Sequence, residues 1–243
     1  MGEIKGKLLK TYYLNNMSRK IKKTIFTLNI DGYASDITKL TYPYMKMYAE
    51  KIGADFVEIN KRKFPEYPVI YEKFQIYELS KDIDWGLFLD CDVLINPKLF
   101  DITEVIPNDT VSTWGINPLE GHYELDNYFL RDGRRMSTGS CMMFASNLCR
   151  EMWEPITDLN RKEILSRFHP WHNEELINYT PEYLIDDYLI SRNIAKYGLK
   201  YKALRDVFVE KGLRDYELIY HQFGLTKEKK IKDIKERISS WGY

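Results

Sequence analysis

The sequence predicts an α/β fold: one domain with a mostly parallel central sheet flanked by helices. Two observations carry that expectation. Short apolar runs rich in β-branched and aromatic residues alternate with helical patterns over the first half of the chain. That order of strand, helix, strand, helix, strand implies a parallel sheet whose ligands gather at the carboxyl ends of its strands. No Pro/Gly/Ser-rich linker interrupts the 243 residues, so residues 1–243 read as a single unit, with 1–22 as an N-terminal extension and 228–243 as a C-terminal helix.

Thr24 to Ile30 reads as the first strand, broken by Asp31-Gly32-Tyr33 before a helical pattern that runs to about Ile52. Pro43 is expected in the first turn of the main helix, because its ring breaks a helix interior. Gly53 ends that helix and Asp55 to Ile59 forms the second strand, completing one βαβ unit. A Pro-containing loop from Phe64 to Pro68 leads to a helix over Tyr71 to Lys81, and then to the apolar strand Trp85 to Leu89. Beyond it the pattern loosens into a short helix near Leu99 to Val105 and a strand at Thr110 to Trp114. A strand follows over Met136 to Phe144 with small residues at its start, and then a helix through Trp153. Small residues there let a substrate approach the backbone. Phe168 to Tyr179 reads as a loop or lid and Tyr183 to Tyr197 as a helix.

Composition excludes some classes of function. Lys plus Arg equals Asp plus Glu at 36 each, so no net field draws nucleic acid to the chain. Cys91, Cys141 and Cys149 lack paired zinc spacing, and an odd, sparse count fits free thiols in a reducing, cytoplasmic setting. No continuous apolar segment suggests a signal or a transmembrane helix. From Lys227 to Trp241, Ile231, Ile234 and Ile238 fall at helical spacing among many basic residues. Such a helix docks on its own domain or, alternatively, makes a peripheral contact with a membrane surface. The 19 Tyr suit either an aromatic core or contact with sugars and bases.

Asp90-Cys91-Asp92 follows the strand ending at Leu89 and precedes the apolar Val93-Leu94-Ile95. Strand side chains alternate faces, so two carboxylates two residues apart point the same way and offer hard oxygen ligands to Mg²⁺ or Mn²⁺. The spacing alone is weak: Asp82-Ile83-Asp84 repeats it where acidic residues merely solvate a turn. Apolar neighbours on both sides draw Asp90 and Asp92 towards the sheet, where charge needs a cation or a base. A second array, His221-Gln222-Phe223-Gly224-Leu225-Thr226-Lys227, is more specific. With four His and 13 Gly in the chain, His-x-x-Gly-x-x-Lys arises by chance about 0.02 times. A neutral imidazole can ligate metal, Gly admits an oxyanion to the backbone, and Lys can pair with phosphate.

With these two motifs the chain resembles the metal-dependent GT-A glycosyltransferases that use nucleotide-sugar donors, especially the glycogenin-like and lipopolysaccharide galactosyltransferase-like group. Small virus-encoded sugar transferases of that Rossmann-like fold are also similar. The resemblance spans most of Thr24 to Lys227. It implies that Asp90, Asp92 and His221 hold Mn²⁺ (or Mg²⁺), that Lys227 touches the donor diphosphate, and that Thr27, Asn29 and Tyr33 contact the nucleoside. Lys73 stands where similar enzymes place a basic residue facing donor phosphate or sugar, against a solvated helix lysine as the plain reading. Asp186-Asp187 resembles the acidic helix start beside the transferred sugar, although carboxylates favour any helix N-terminus.

The implied function is transfer of a hexose from a nucleotide diphosphate sugar, a UDP-sugar by preference, to a glycan or other hydroxyl acceptor. Asp187, with Asp186 second, then acts as base if the reaction inverts, or positions the sugar if it retains. Two rivals stand beside it. A sugar-phosphate nucleotidyltransferase shares the layout but normally carries a Gly-rich, basic turn after its first strand, unlike Asp31-Gly32-Tyr33-Ala34. A non-catalytic nucleotide-sugar-binding module is the other. His169, His172 and Trp171 are loop candidates for acceptor contact, while Trp153 divides between core and sugar stacking.

Overall fold

Ile25, Phe26 and Leu28 make the first strand apolar on both faces, which suits a central strand covered by helices on either side. The computed structural model describes residues 20–115, 128, 139–167, 182, 185–221 and 225–243. Strand β1 (Lys23–Leu28) lies between β2 (Ala54–Ile59) and β3 (Trp85–Leu89), parallel to both. The sheet continues through β6 (Met142–Ser146), β5 (Thr110–Thr113) and β7 (Lys200–Ala203), in the order β2-β1-β3-β6-β5-β7. Among the described strands of this sheet only β6 runs against the rest, antiparallel to β3 and β5 on its two sides, while β5 and β7 are parallel. A second ladder pairs β4 (Leu94–Ile95) with β8 (Ile219–Tyr220).

Strand alternation divides the core into two layers. Phe26, Phe88 and Met143 point to one face, where Trp153, Tyr188 and Leu189 cover them. Ile25, Leu87 and Phe144 point to the other, against Met45, Tyr48 and Phe208. The first layer is roofed by helix α4 (Ile185–Lys196); the second is covered by α1 (Ser35–Ile52) and α5 (Leu204–Glu210). Gly86 sits directly beneath Trp153, and a Cβ there would lie 3.0 Å from the indole. Short helices α2 (Ile76–Leu79), α3 (Arg161–Leu165) and α6 (Asp215–Leu218) fill connections, and α7 (Lys227–Ser240) closes the chain.

Several local expectations need correction. Pro43 lies in the body of α1, not its first turn, because the helix already starts at Ser35. The preceding turn is closed early, with the Ala34 N–H donating to Asn29 Oδ1 at 3.0 Å. Pro43 cannot donate to the Lys39 carbonyl, and burial of Met45, Tyr48, Ala49 and Ile52 offsets that loss. The helix expected over Tyr71 to Lys81 is mainly a 3₁₀ segment, Val69–Gln75, followed by α2. Its adjacent charges are drawn to opposite partners: Glu72 accepts from Arg62 and the N–H groups of Lys63 and Phe64, and Lys73 turns towards the sheet. A tight 3₁₀ turn accommodates that divergence.

The segment near Leu99 to Val105 is a 3₁₀ turn over Ile102–Glu104, and the one before Trp153 is 3₁₀ over Asn147–Trp153. Each is started by a side chain, Asp101 or Ser146, accepting a backbone N–H two residues on. Strand β6 begins at Met142, later than expected, because Gly139 first bonds across to Gly115 and leaves Gly139 to Cys141 as a turn. Residues 116–127 and 129–138, which include the start of the expected Met136 strand, and the 168–179 loop with His169, Trp171 and His172 lie outside the described residues. Trp153 is wholly buried, which assigns it to the core rather than to sugar stacking.

Helix α7 docks on its own domain. Ile234 is fully buried, and Ile231 and Ile238 pack with it against Ile37, Leu40 and Tyr44 of α1 and against Leu94 and Tyr220. Its apolar face is therefore occupied by the fold, leaving a charged outer face. Among the described residues, no helix is long and apolar enough to cross a membrane. All three cysteines are free and buried.

Candidate metal centre

Strand β3 stops at Leu89, so Asp90 and Asp92 lie in the turn beyond it and not on the strand itself. Their convergence comes from the turn. The Val93 N–H closes on the Asp90 carbonyl at 2.9 Å, and the Asp90 N–H reaches across to the Cys141 carbonyl at 2.8 Å. From the opposite side, Thr41 on α1 donates its hydroxyl to the Cys91 carbonyl at 2.6 Å. These three anchors hold Cys91 inward and turn both flanking carboxylates towards the carboxyl edge of the sheet.

The β4–β8 ladder delivers the third donor. Leu94 pairs with Tyr220, two residues beyond Asp92 and one before His221, so the imidazole is carried to the acidic turn. His221 Nε2 lies 3.5 Å from Asp92 Oδ1. One donor atom each from Asp90, Asp92 and His221 falls within 4.8 Å of the others, and all three residues are part-exposed. Two carboxylates and an imidazole form a donor set suited to a divalent cation of the Mn²⁺ or Mg²⁺ type. Burial opposes the charge on Asp92, but hydrogen bonds and charge from His221 and Lys230 outweigh it and hold the carboxyl well below the usual range. At Asp90 burial dominates and raises its affinity for a proton, with Lys73 opposing.

Beneath this turn runs a buried charged chain. Lys73 is 2% exposed; its ammonium lies 2.6 Å from Asp186 Oδ2 and 3.2 Å from Asp90 Oδ1. Burial alone would lower its proton affinity, and Asp186, Asp90 and Asp187 reverse the effect, so the lysine is charged. Ser140, in the turn entering β6, ties the chain to α4: its hydroxyl donates to Asp186 Oδ2 at 2.7 Å and its N–H to Asp187 Oδ1 at 2.8 Å. Both acids at the α4 start are buried, which removes the plain reading of a solvated helix terminus. Burial and the neighbouring Asp186 push the Asp187 carboxyl up to about 8, with Lys73 and Ser140 opposing. The solvated-lysine reading of Lys73 fails for the same reason.

The expected nucleoside residues occupy the turn after β1. Thr27 is buried in the sheet. Asn29 uses its side chain to cap the turn at Ala34 and to reach Glu58 at 3.2 Å. Asp31 takes a left-handed conformation, φ 51°, and Tyr33 two residues on is 59% exposed. The Tyr33 hydroxyl remains 3.5 Å from Cys91 Sγ, so this turn abuts the acidic one.

Lys227 is drawn elsewhere. Its ammonium pairs with Asp36 on α1 at 2.6 Å and it is 49% exposed. The lysine of α7 that meets the acidic turn is Lys230, which pairs with Asp92 from the next turn of the helix. The sequence motifs do not assign Lys230, Ser140 or Cys141 to the site. Ser140 and Cys141 lay within a small-residue stretch that hinted at a nearby site; Lys230 sat in a lysine-rich helix with nothing to distinguish it. Gln222, Phe223 and Gly224, the middle of the second motif, lie outside the described residues.

No family model matches the chain, and no curated relative matches it. Solved structures similar to it include a glycosyltransferase involved in glycosylation of the major capsid of PBCV-1, 16% identical, covering 89% of this chain and 100% of that one, TM-score 0.48. Galactosyltransferase LgtC, solved with donor and acceptor sugar analogs, is 13% identical over 90% of this chain and 96% of its own, TM-score 0.47. A Drosophila beta-1,4-galactosyltransferase 7 mutant, complexed with manganese, UDP-Gal and xylobiose, is 12% identical over 87% and 80%, TM-score 0.46. With identities of 16% or less and TM-scores below 0.5, the functional reading rests on the geometry of the acidic turn and its neighbours.

Proposed function

We propose that this chain is a metal-dependent glycosyltransferase that moves a hexose from a nucleotide diphosphate sugar, with UDP as the nucleotide, to a hydroxyl acceptor. The observation that carries the reading is the convergence of Asp90, Asp92 and His221 at the carboxyl edge of the sheet, directly above the buried Lys73–Asp186–Asp187 chain. Asp90, Asp92 and His221 would hold a divalent cation, Mn²⁺ or Mg²⁺, which would supply positive charge against a diphosphate leaving group. The residues around it have separable tasks. Lys73 neutralises Asp90 and Asp186 and fixes their orientation, so the turn keeps its shape before any ligand arrives. The exposed Tyr33 offers an aromatic surface for a base, and Asn29 keeps that turn in place.

Asp187 is the candidate for the sugar or acceptor. A carboxyl held at about 8 retains its proton near neutrality, so it can donate a hydrogen bond to a sugar hydroxyl; at higher pH it can accept the acceptor's proton. The turn Asp31-Gly32-Tyr33-Ala34 lacks the glycine-rich basic character of a nucleotidyltransferase loop, so no observation favours that alternative. Calorimetry tests the proposal. UDP should bind at least roughly tenfold more tightly with Mn²⁺ than with EDTA, and Asp92→Asn should remove most of that difference. Equal affinity under both conditions would overturn the metal centre. Metal-dependent binding of UDP-sugars without hydrolysis or transfer would instead identify a binding module.

A further inference from the structure

Lys230 already occupies the carboxylate that a metal ion would need. Its ammonium pairs with Asp92 Oδ2, while His221 lies 3.5 Å from Oδ1 of the same group. Lys230 is held there by α7. The Thr226 side chain accepts the Lys229 N–H, and Ile231 and Ile234 pack beside Leu94 and Tyr220. Other lysines of this helix point to other acids: Lys227 to Asp36 and Lys232 to Glu236. At 17% side-chain exposure, the Lys230–Asp92 pair is shielded from solvent far more than either of those.

We propose that Lys230 is a built-in counter-ion of the metal centre. It neutralises Asp92 in the free protein, competes with a divalent cation arriving alone, and is released to the diphosphate when metal and nucleotide arrive together. The physical reason is like-charge repulsion. An ammonium and a divalent ion sharing one carboxylate repel each other at close range, so the metal must displace Lys230. A displaced ammonium at this depth needs a new anion, and the phosphate oxygens of the ligand supply one. Metal and nucleotide therefore promote each other's binding, and by linkage the coupling is reciprocal. This inference rests on the metal-dependent donor site proposed above.

Two titrations on the whole chain test it: Mn²⁺ alone, and UDP at saturating Mn²⁺. In Lys230→Gln, Mn²⁺ alone should bind roughly tenfold more tightly than in the wild type, and UDP roughly tenfold more weakly. Opposite signs distinguish a competing counter-ion from a merely structural lysine, whose loss would weaken both. Lys230→Arg keeps the charge and should retain weak metal binding. Lys232→Gln, which breaks only the solvent-side pair with Glu236, should match the wild type in both titrations. Circular dichroism checks folding; should the Gln variant not fold, Lys230→Met replaces it with the aliphatic stem kept. A Lys230→Gln affinity for Mn²⁺ equal to or below wild type would overturn the inference while leaving the metal centre standing. A wild type that binds neither Mn²⁺ nor UDP would overturn both.

Discussion

At the scale of single residues, the site is governed by carboxylates that are removed from bulk solvent alike but have different charged neighbours, and so end in different states. Asp92 faces Lys230 and His221 and stays ionised, whereas Asp187, against Asp186 and away from solvent, holds its proton up to about 8. Environments that push two acids apart in this way are how one site provides both a fixed charge and a transferable proton. Asp187→Asn keeps the acceptor oxygen for the Ser140 N–H and removes only the ability to exchange a proton. UDP affinity in this variant should stay near wild type while donor hydrolysis or transfer falls roughly 10²-fold or more. Steady-state turnover measured beside calorimetry checks this, and wild-type turnover would reduce Asp187 to a structural acid.

At the scale of elements, two short ladders and one helix assemble what lies far apart in sequence. The antiparallel β6 sets Met142 opposite Leu89, which brings Ser140 and Cys141 alongside Asp90. The β4–β8 pair does the same for His221, and α7 then returns across α1 with Lys230. Ile234 is the buried anchor of that return. Ile234→Ala removes packing at a core position, at about 2–5 kcal/mol for such truncations, and loosens the helix that carries Lys227 and Lys230. The expected outcome is a lower midpoint of thermal unfolding together with weaker UDP binding in the presence of Mn²⁺. Unchanged nucleotide affinity in a measurably destabilised variant would show that the site does not depend on how α7 is seated.

At the scale of the whole molecule, the buried acids link folding to pH. An unfolded Asp187 releases its proton near 3.8, while the folded protein keeps it until about 8. Between those values the native state binds more protons than the unfolded one, so stability falls as pH rises through this window. Asp92 works in the reverse sense: its pairing stabilises the fold above the ordinary carboxylate value and is lost as pH drops below it. Thermal unfolding of the metal-free protein across pH 4 to 8 should show a decline that Asp187→Asn flattens. An identical slope in the variant would mean that other groups carry the linkage.

Much of this organisation can be read from residue order because it follows from local physics. The strand at Trp85 to Leu89 and its acidic end, the helix stopped by Gly53 in the left-handed conformation, and the isoleucine stripe of α7 all express periodicity and turn chemistry within a few residues. Asp90, Asp92 and His221 were nominated from motif spacing, and the fold brings them together. Other features depend on partners distant in sequence. Nothing near Met142 encodes that β6 runs antiparallel, since strand direction is set by which neighbours it pairs with. The segments around Lys73 and Trp153 became 3₁₀ because distant partners, or a single capping hydroxyl, outweighed helix propensity. Lys227 and Lys230 are equivalent lysines by composition; only the seating of α7 against α1 sends one to Asp36 and the other to Asp92. Charge pairing acts through space, so tertiary packing decides which of two like residues reaches the site.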